Sequence, residues 1–102
     1  MTEKLLKIIN HYEIENQLKK FSEESYELIE AIIRHNELYE IDGYSCDLRI
    51  KHITEEIADV EVMLLQFKEY YHIDGNEILE IMNKKIDRQL KRMEKENNGK
   101  QN

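Results

Sequence analysis

The chain has 102 residues, a formal net charge of -7, no proline and a single cysteine, Cys46. A chain of this length forms one domain, residues 1–102, and its acidic charge argues against a nucleic-acid polymer or an anionic membrane as partner. One cysteine excludes an intrachain disulfide and a cysteine-based zinc site. Since we find neither a signal peptide nor an apolar run near the ~20 residues of a membrane span, we expect a cytoplasmic protein.

The first half of the chain predicts a short helix, a long helix and a loop. Apolar residues recur at three- and four-residue spacing, which is typical of helices and not of strands. We expect Thr2 to cap the short helix and His11 and Tyr12 to mark a break or a bend. The loop covers residues 38–47, which contain an Asp-Gly pair. The apolar residues of the two helices are Leu5, Leu6, Ile8 and Ile9, and then Ile14, Leu18, Phe21, Leu28, Ile29, Ile32 and Ile33.

The second half predicts two further long helices separated by a tight turn. Asp74 stands where the N-cap of the last helix is expected, and Glu77 follows at capping-box spacing. The polar residues 94–102 are expected to fray, which leaves a core of about 12–93. The predicted buried residues are Ile50, Ile53, Ile57, Val60, Leu64 and Phe67 in the third helix, and Ile78, Ile81, Met82, Ile86, Leu90 and Met93 in the last.

Two pairs of carboxylates stand at the border of these apolar stripes. Glu24 and Glu27 lie on the first long helix, Glu56 and Asp59 lie on the next, and residues three apart share a helix face. Antiparallel packing would bring the four carboxylates together, where their repulsion calls for a cation. Oxygen ligands at this density suit Mg²⁺ or Mn²⁺. Because Glu-x-x-Glu spacing recurs in this chain, a solvated acidic face is the alternative from spacing alone.

A basic cluster and two tyrosines are further candidate ligand contacts. Lys85, Arg88 and Arg92 share one face of the last helix, and guanidinium groups can grip phosphate oxygens with two hydrogen bonds. A solvated helix face is the alternative. Tyr39 and Tyr44, in or near the loop, either stack on a base or pack locally.

The combined pattern resembles the MazG-like nucleotide pyrophosphohydrolases of the all-α NTP pyrophosphatase superfamily. The pattern in that family is Glu-x-x-Glu, a spacer and then Glu-x-x-Asp, and the resemblance runs from about residue 12 to residue 93. Ala58 stands where a glycine is common, and Asp87 stands where an asparagine is often found. The residues that carry the resemblance are Gln17, Lys20, Phe21, Glu23, Glu24, Glu27, Leu28, Ala31, Ile32, Glu55, Glu56, Ile57, Ala58, Asp59, Val60, Lys85, Ile86, Arg88 and Arg92.

The resemblance implies an antiparallel helical bundle completed by oligomerisation, as a homodimer or homotetramer. It also implies Mg²⁺-dependent cleavage of a (d)NTP between the α and β phosphates, which releases a (d)NMP and pyrophosphate. The implied site residues are Glu24, Glu27, Glu56 and Asp59 for the metal and for catalysis, and Lys85, Arg88 and Arg92 for the phosphates.

Three alternatives remain open from the residues. The first is a non-catalytic helical module for interaction or oligomerisation, with the carboxylates on a solvated face. The second is a hydrolase of another nucleotide diphosphate, such as a nucleotide sugar. The third is a di-iron oxidase, for which Glu69 and His72 supply only one Glu-x-x-His pair, so we prefer a helix-end role for His72.

Overall fold

The structure, a computed structural model, describes residues 1–43 and 46–100, the last of these by its backbone alone. The regular elements in this part of the chain are all helices, which confirms the predicted all-α class. None of the described helices is long and apolar enough to cross a membrane. The helices are α1 (Thr2–Tyr12), α2 (Ile14–Asp42), α3 (Asp47–Tyr70) and α4 (Gly75–Lys100).

The break between α1 and α2 falls at Glu13, directly after the predicted position. Glu13 has a φ of 71°, and its backbone N–H donates to the carbonyl of Ile9. A residue in this left-handed region cannot continue a right-handed helix, so α1 ends here. The expected cap by Thr2 is wrong, because Met1 holds the cap position and Thr2 is already the first helical residue.

The end of α2 lies later than the sequence predicted. The helix continues through Asp42, so the first half of the expected loop over 38–47 is helical. Gly43, with a φ of 73°, ends it and donates its backbone N–H to the carbonyl of Tyr39. Glycine adopts this conformation without steric cost. Arg49 of α3 donates to the Asp42 carboxylate at 2.8 Å, which ties the two helix ends together.

Residues Met1–Tyr71 form one compact unit in which α2 packs mainly on α3 and α1 packs on both. The register of α2 and α3 is antiparallel. Gln17 donates to Gln66 across the interface at 2.7 Å, and the rings of Phe21 and Phe67 meet edge to face at 5.5 Å. The buried residues of this unit are Leu5, Ile9, Gln17, Glu24, Ala31, Glu56, Met63 and Gln66.

The predicted apolar stripes of α2 and α3 are therefore rotated from the centre of the interface. Gln17, Glu24 and Ala31 recur every seven residues and face α3, so polar side chains occupy central positions. The apolar residues that the sequence placed in the core but that are 40–54% exposed are Leu18, Ile29, Ile32, Ile33, Ile50, Ile57 and Leu64. A helix buries the face that meets its neighbour, and here that face carries the carboxylates.

The described residues from His72 onward form a second compact unit that contains α4. Asp74 caps the helix as predicted, because its carboxylate accepts the backbone N–H of Asn76 at 2.9 Å. The helix extends to Lys100, so the tail expected to fray after Met93 is helical that far.

The predicted burial of the α4 stripe is wrong for the described chain. None of the side chains described in this helix is buried, and the described part of the second unit contains no further helix that could cover it. The half-exposed apolar residues are Leu79, Ile81, Met82, Ile86, Leu90 and Met93.

Candidate metal centre

Three carboxylates from α2 and α3 converge at the middle of the helix pair. Glu24, Glu27 and Glu56 each offer an oxygen, and these oxygens lie within 4.8 Å of one another. One helical turn separates Glu24 from Glu27, and the antiparallel register places Glu56 opposite them. Like charges at this distance repel, so the cluster is a site of high local negative potential.

Two members of the cluster are buried and incompletely hydrogen-bonded. Glu24 is 7% exposed and Glu56 is 9% exposed, and the Oε2 atom of each is buried without a hydrogen-bond partner. A buried carboxylate oxygen without a donor is costly, and coordination of a cation would remove that cost. The donor set is all oxygen and strongly anionic, which fits a hard divalent cation such as Mg²⁺ or Mn²⁺.

The remaining oxygens of the buried pair face two basic side chains. Lys20 Nζ lies 3.0 Å from Glu24 Oε1, one turn earlier on α2, and His52 Nε2 lies 3.9 Å from Glu56 Oε1, one turn earlier on α3. The hydrogen bond and the charge of Glu24 raise the pKa of the Lys20 ammonium. Lys20 therefore acts as the nearest counter-ion to the cluster.

Repulsion within the cluster affects the pKa of Glu27, its exposed member. The negative charge of Glu24, followed by desolvation and by the charge of Glu56, raises the pKa of the Glu27 carboxyl above its ordinary value. Repulsion thus makes the last of the three carboxyls harder to ionise when no cation is present.

Asp59, the fourth predicted ligand, is not drawn into the cluster. It lies on α3 one turn after Glu56, and its side chain is exposed. The group of mutually close oxygens among the described residues includes only the other three predicted ligands. A role for Asp59 stays a prediction.

One open pocket includes two of the clustered carboxylates, and another is linked to the cluster through Lys20, the salt-bridge partner of Glu24. The first, of about 580 Å³, extends toward the C-terminal half of α2, and its lining consists of Tyr26, Glu27, Glu30, Ala31, Ile33, Arg34, Glu37, His52 and Glu56. The second, of about 490 Å³, extends toward the N-terminal half, and its lining consists of Tyr12, Asn16, Gln17, Lys19, Lys20, Glu23 and Met63.

Three basic residues near the cluster were not among the predicted site residues. Lys20 lies four residues before Glu24, Arg34 lies seven residues after Glu27, and His52 lies near Glu56 as described above. Spacing of three, four or seven from a predicted ligand is the signal that could have identified them, since such residues share its helix face.

The other predicted ligand contacts lie elsewhere in the chain. Lys85, Arg88 and Arg92 are exposed on α4, within the second unit. Tyr39 is half-exposed near the end of α2, with its ring 6.2 Å from that of His35, and Tyr44 lies outside the described residues.

The chain matches the model of a known domain family. The model of the MazG nucleotide pyrophosphohydrolase domain matches residues 12–93. No curated protein and no solved structure matches the chain significantly. The matched residues cover most of the chain and include the three clustered carboxylates, Asp59 and the basic face of α4. The chain therefore belongs to the MazG nucleotide pyrophosphohydrolase domain family.

Proposed function

We propose that the protein is a Mg²⁺-dependent nucleoside triphosphate pyrophosphohydrolase, which converts a (d)NTP to a (d)NMP and pyrophosphate. The observation that carries this proposal is the cluster of Glu24, Glu27 and Glu56, in which two buried carboxylate oxygens lack a donor. Membership of the family supports the reaction class, and the donor set supports the cation.

The carboxylates have two tasks in this proposal. Glu24, Glu27 and Glu56 would hold Mg²⁺, or Mn²⁺ in its place, and Asp59 would join them from the same face of α3. A bound cation supplies neutralisation of the triphosphate and polarisation of the α phosphorus. One of the four carboxylates would orient the attacking water and accept its proton.

The charge that develops on the leaving pyrophosphate requires cationic groups. We assign this role to Lys85, Arg88 and Arg92, whose three- and four-residue spacing on α4 permits contacts to one phosphate chain. The half-exposed apolar residues of α4 support assembly as a homodimer or homotetramer, since they remain to be covered. The free thiol of Cys46 suits a reducing cytoplasm.

The test is pyrophosphate release from a panel of unmodified and modified (d)NTPs, with and without Mg²⁺. The parent is compared with Glu56→Gln, which removes one ligand charge, and with Glu61→Gln, a matched change at an exposed position of α3. We expect metal-dependent release in the parent and in Glu61→Gln, and its loss in Glu56→Gln.

The other outcomes separate the remaining functions. Mg²⁺ binding without pyrophosphate release from any (d)NTP would contradict the proposal and indicate another diphosphate substrate. Absence of both Mg²⁺ binding and release would indicate a non-catalytic interaction module.

A further inference from the structure

The two pockets beside the carboxylate cluster lie at opposite ends of it along α2. Lys20, in the second pocket, precedes Glu24 by one turn, whereas Arg34, in the first pocket, follows Glu27 by two turns. The antiparallel α3 agrees, because Met63 lines the Lys20 pocket and His52 lines the Arg34 pocket. A ligand centred on the cluster and longer than it can therefore extend along α2 toward either pocket.

The two pockets differ in the sign of their charge. The Lys20 pocket is lined by Lys19 and Lys20 against one carboxylate, that of Glu23. The Arg34 pocket is lined by four carboxylates, of which Glu27 and Glu56 belong to the cluster. Arg34 is the one lysine or arginine among its lining residues. A polyphosphate chain is strongly anionic and a nucleoside is neutral, so Coulomb interactions favour the phosphates at the Lys20 end.

The side chains of the Arg34 pocket also suit a nucleoside. Ile33 supplies apolar surface, and the planar guanidinium of Arg34 can stack on a base. Glu30 and Glu37 offer carboxylate oxygens, which accept hydrogen bonds from base N–H or sugar O–H groups. Arg34 forms no salt bridge within the described part of the chain, so its guanidinium is available for a ligand.

The contact between Lys20 and Glu24 explains how Lys20 could become available to a phosphate group. Lys20 Nζ lies 3.0 Å from Glu24 Oε1, and the lysine side chain is 53% exposed, so the ammonium can change partner with little repacking. Once the Glu24 carboxylate serves as a metal ligand, the lysine loses its strongest partner. Its ammonium can then bind a phosphate oxygen beside the cluster.

On the basis of the proposed function, we infer that the substrate lies across the cluster in one direction, with its terminal phosphates in the Lys20 pocket and its nucleoside in the Arg34 pocket. Lys20 is a phosphate-binding residue and Arg34 a base-binding residue in this arrangement. Both side chains are exposed, so both can be replaced without disturbing the core.

The two reaction products separate the two ends of the substrate. Calorimetric titrations in the presence of Mg²⁺ measure the affinity for inorganic pyrophosphate and, separately, for each of the four 2′-deoxynucleoside monophosphates. The variants are Lys20→Gln and Arg34→Gln, with Lys51→Gln as a charge-matched control at an exposed position of α3. Far-UV circular dichroism confirms that each variant stays helical.

We expect Lys20→Gln to weaken pyrophosphate binding about tenfold and to change monophosphate binding less than about twofold. Arg34→Gln should show the reverse pattern, Lys51→Gln should change neither, and Lys20→Arg should retain pyrophosphate binding. If Mg²⁺ binding and pyrophosphate release are observed, a reversed pattern or equal effects on both products would overturn the inferred direction of the substrate. A parent that binds Mg²⁺ but neither product would also overturn it. A parent without Mg²⁺ binding or pyrophosphate release would instead contradict the proposed function.

Discussion

The α2–α3 interface and α4 distribute polar and apolar side chains in different ways. Between α2 and α3, carboxylates and amides take four of the six buried positions, and large apolar residues such as Ile29 and Leu64 are half-exposed. In α4 no described side chain is buried, and Ile86 and Leu90 lie half-exposed on a helix that also carries the basic residues. The centre of the first unit is therefore organised around its charged cluster, whereas the apolar residues of α4 lie half-exposed beside its basic residues.

The largest expected effect is on the free energy of unfolding, and it distinguishes an apolar residue of the first unit from one on α4. Ile9 is fully buried, so Ile9→Ala should lower the free energy of unfolding by about 2–4 kcal/mol through lost burial and a residual cavity. Ile86→Ala, the matched change on α4, should cost less than about 0.5 kcal/mol in a dilute monomer. Urea denaturation at low protein concentration measures both. Equal costs would show that α4 is covered as thoroughly as the first unit.

The buried amide pair gives a smaller effect within the α2–α3 interface. Gln66, 2% exposed, accepts the Nε2 hydrogen bond of Gln17 at 2.7 Å. Gln66→Leu leaves that buried donor without an acceptor and should cost about 1–3 kcal/mol, whereas the double change to leucine should recover much of the loss. A double-mutant cycle of denaturation measures the coupling, and additive costs would contradict a register held by this bond.

Repulsion inside the cluster should make the stability of the metal-free protein depend on pH. The pKa of Glu27 is raised, chiefly by the charge of Glu24, so the folded chain binds this proton more tightly than the unfolded chain does. The parent should therefore lose stability as the pH rises above the ordinary glutamate value of 4.5 and through the raised one.

Thermal denaturation in EDTA, with Glu27→Gln as the comparison, tests this dependence. The glutamine variant, which has no charge to repel, should melt above the parent at about pH 7 and close to it at about pH 4. Saturating Mg²⁺ should stabilise the parent at neutral pH, so that it no longer melts below the glutamine variant. A parent more stable than the variant at neutral pH without metal would contradict mutual repulsion.

The smallest expected effect is on metal affinity when substrate is absent. Lys20 competes with a cation for Glu24 Oε1, so Lys20→Gln should strengthen Mg²⁺ binding about threefold, roughly 0.65 kcal/mol. Lys19→Gln removes the same charge from the neighbouring position, which has no such contact with Glu24, and should have a smaller effect. Equal gains in the two variants would show that only net charge matters.

The sequence predicted the class of fold, and three of the four carboxylates that it predicted to meet, Glu24, Glu27 and Glu56 but not Asp59, lie together. These follow from strong signals, since helical spacing extends over long segments and the carboxylates lie three apart on helices that must pack. The helix ends were less well predicted, because α2 ends where Gly43 adopts a left-handed conformation and not where polar residues begin.

The identity of the buried face was harder to predict than the helices themselves. Hydrophobic spacing places Ile29 and Ile57 in the core, yet the faces that meet carry Gln17, Glu24 and Glu56. Burial of these polar groups depends on partners from the other helix, and a periodicity within one helix contains no information about them. The proximity of Lys20 to the cluster was not predicted. Lys20 was named only as one of the residues around Glu24 that carry the family resemblance.

The most direct test of the metal centre is a calorimetric titration of Mg²⁺ into the parent and into Glu24→Gln, with Glu23→Gln as the exposed neighbour control. If Glu24 supplies its unpartnered buried oxygen to the cation, Glu24→Gln should weaken Mg²⁺ binding at least about hundredfold, while the control changes it less than about threefold. Equal Mg²⁺ affinity in the parent and in Glu24→Gln would contradict a metal centre built on these carboxylates.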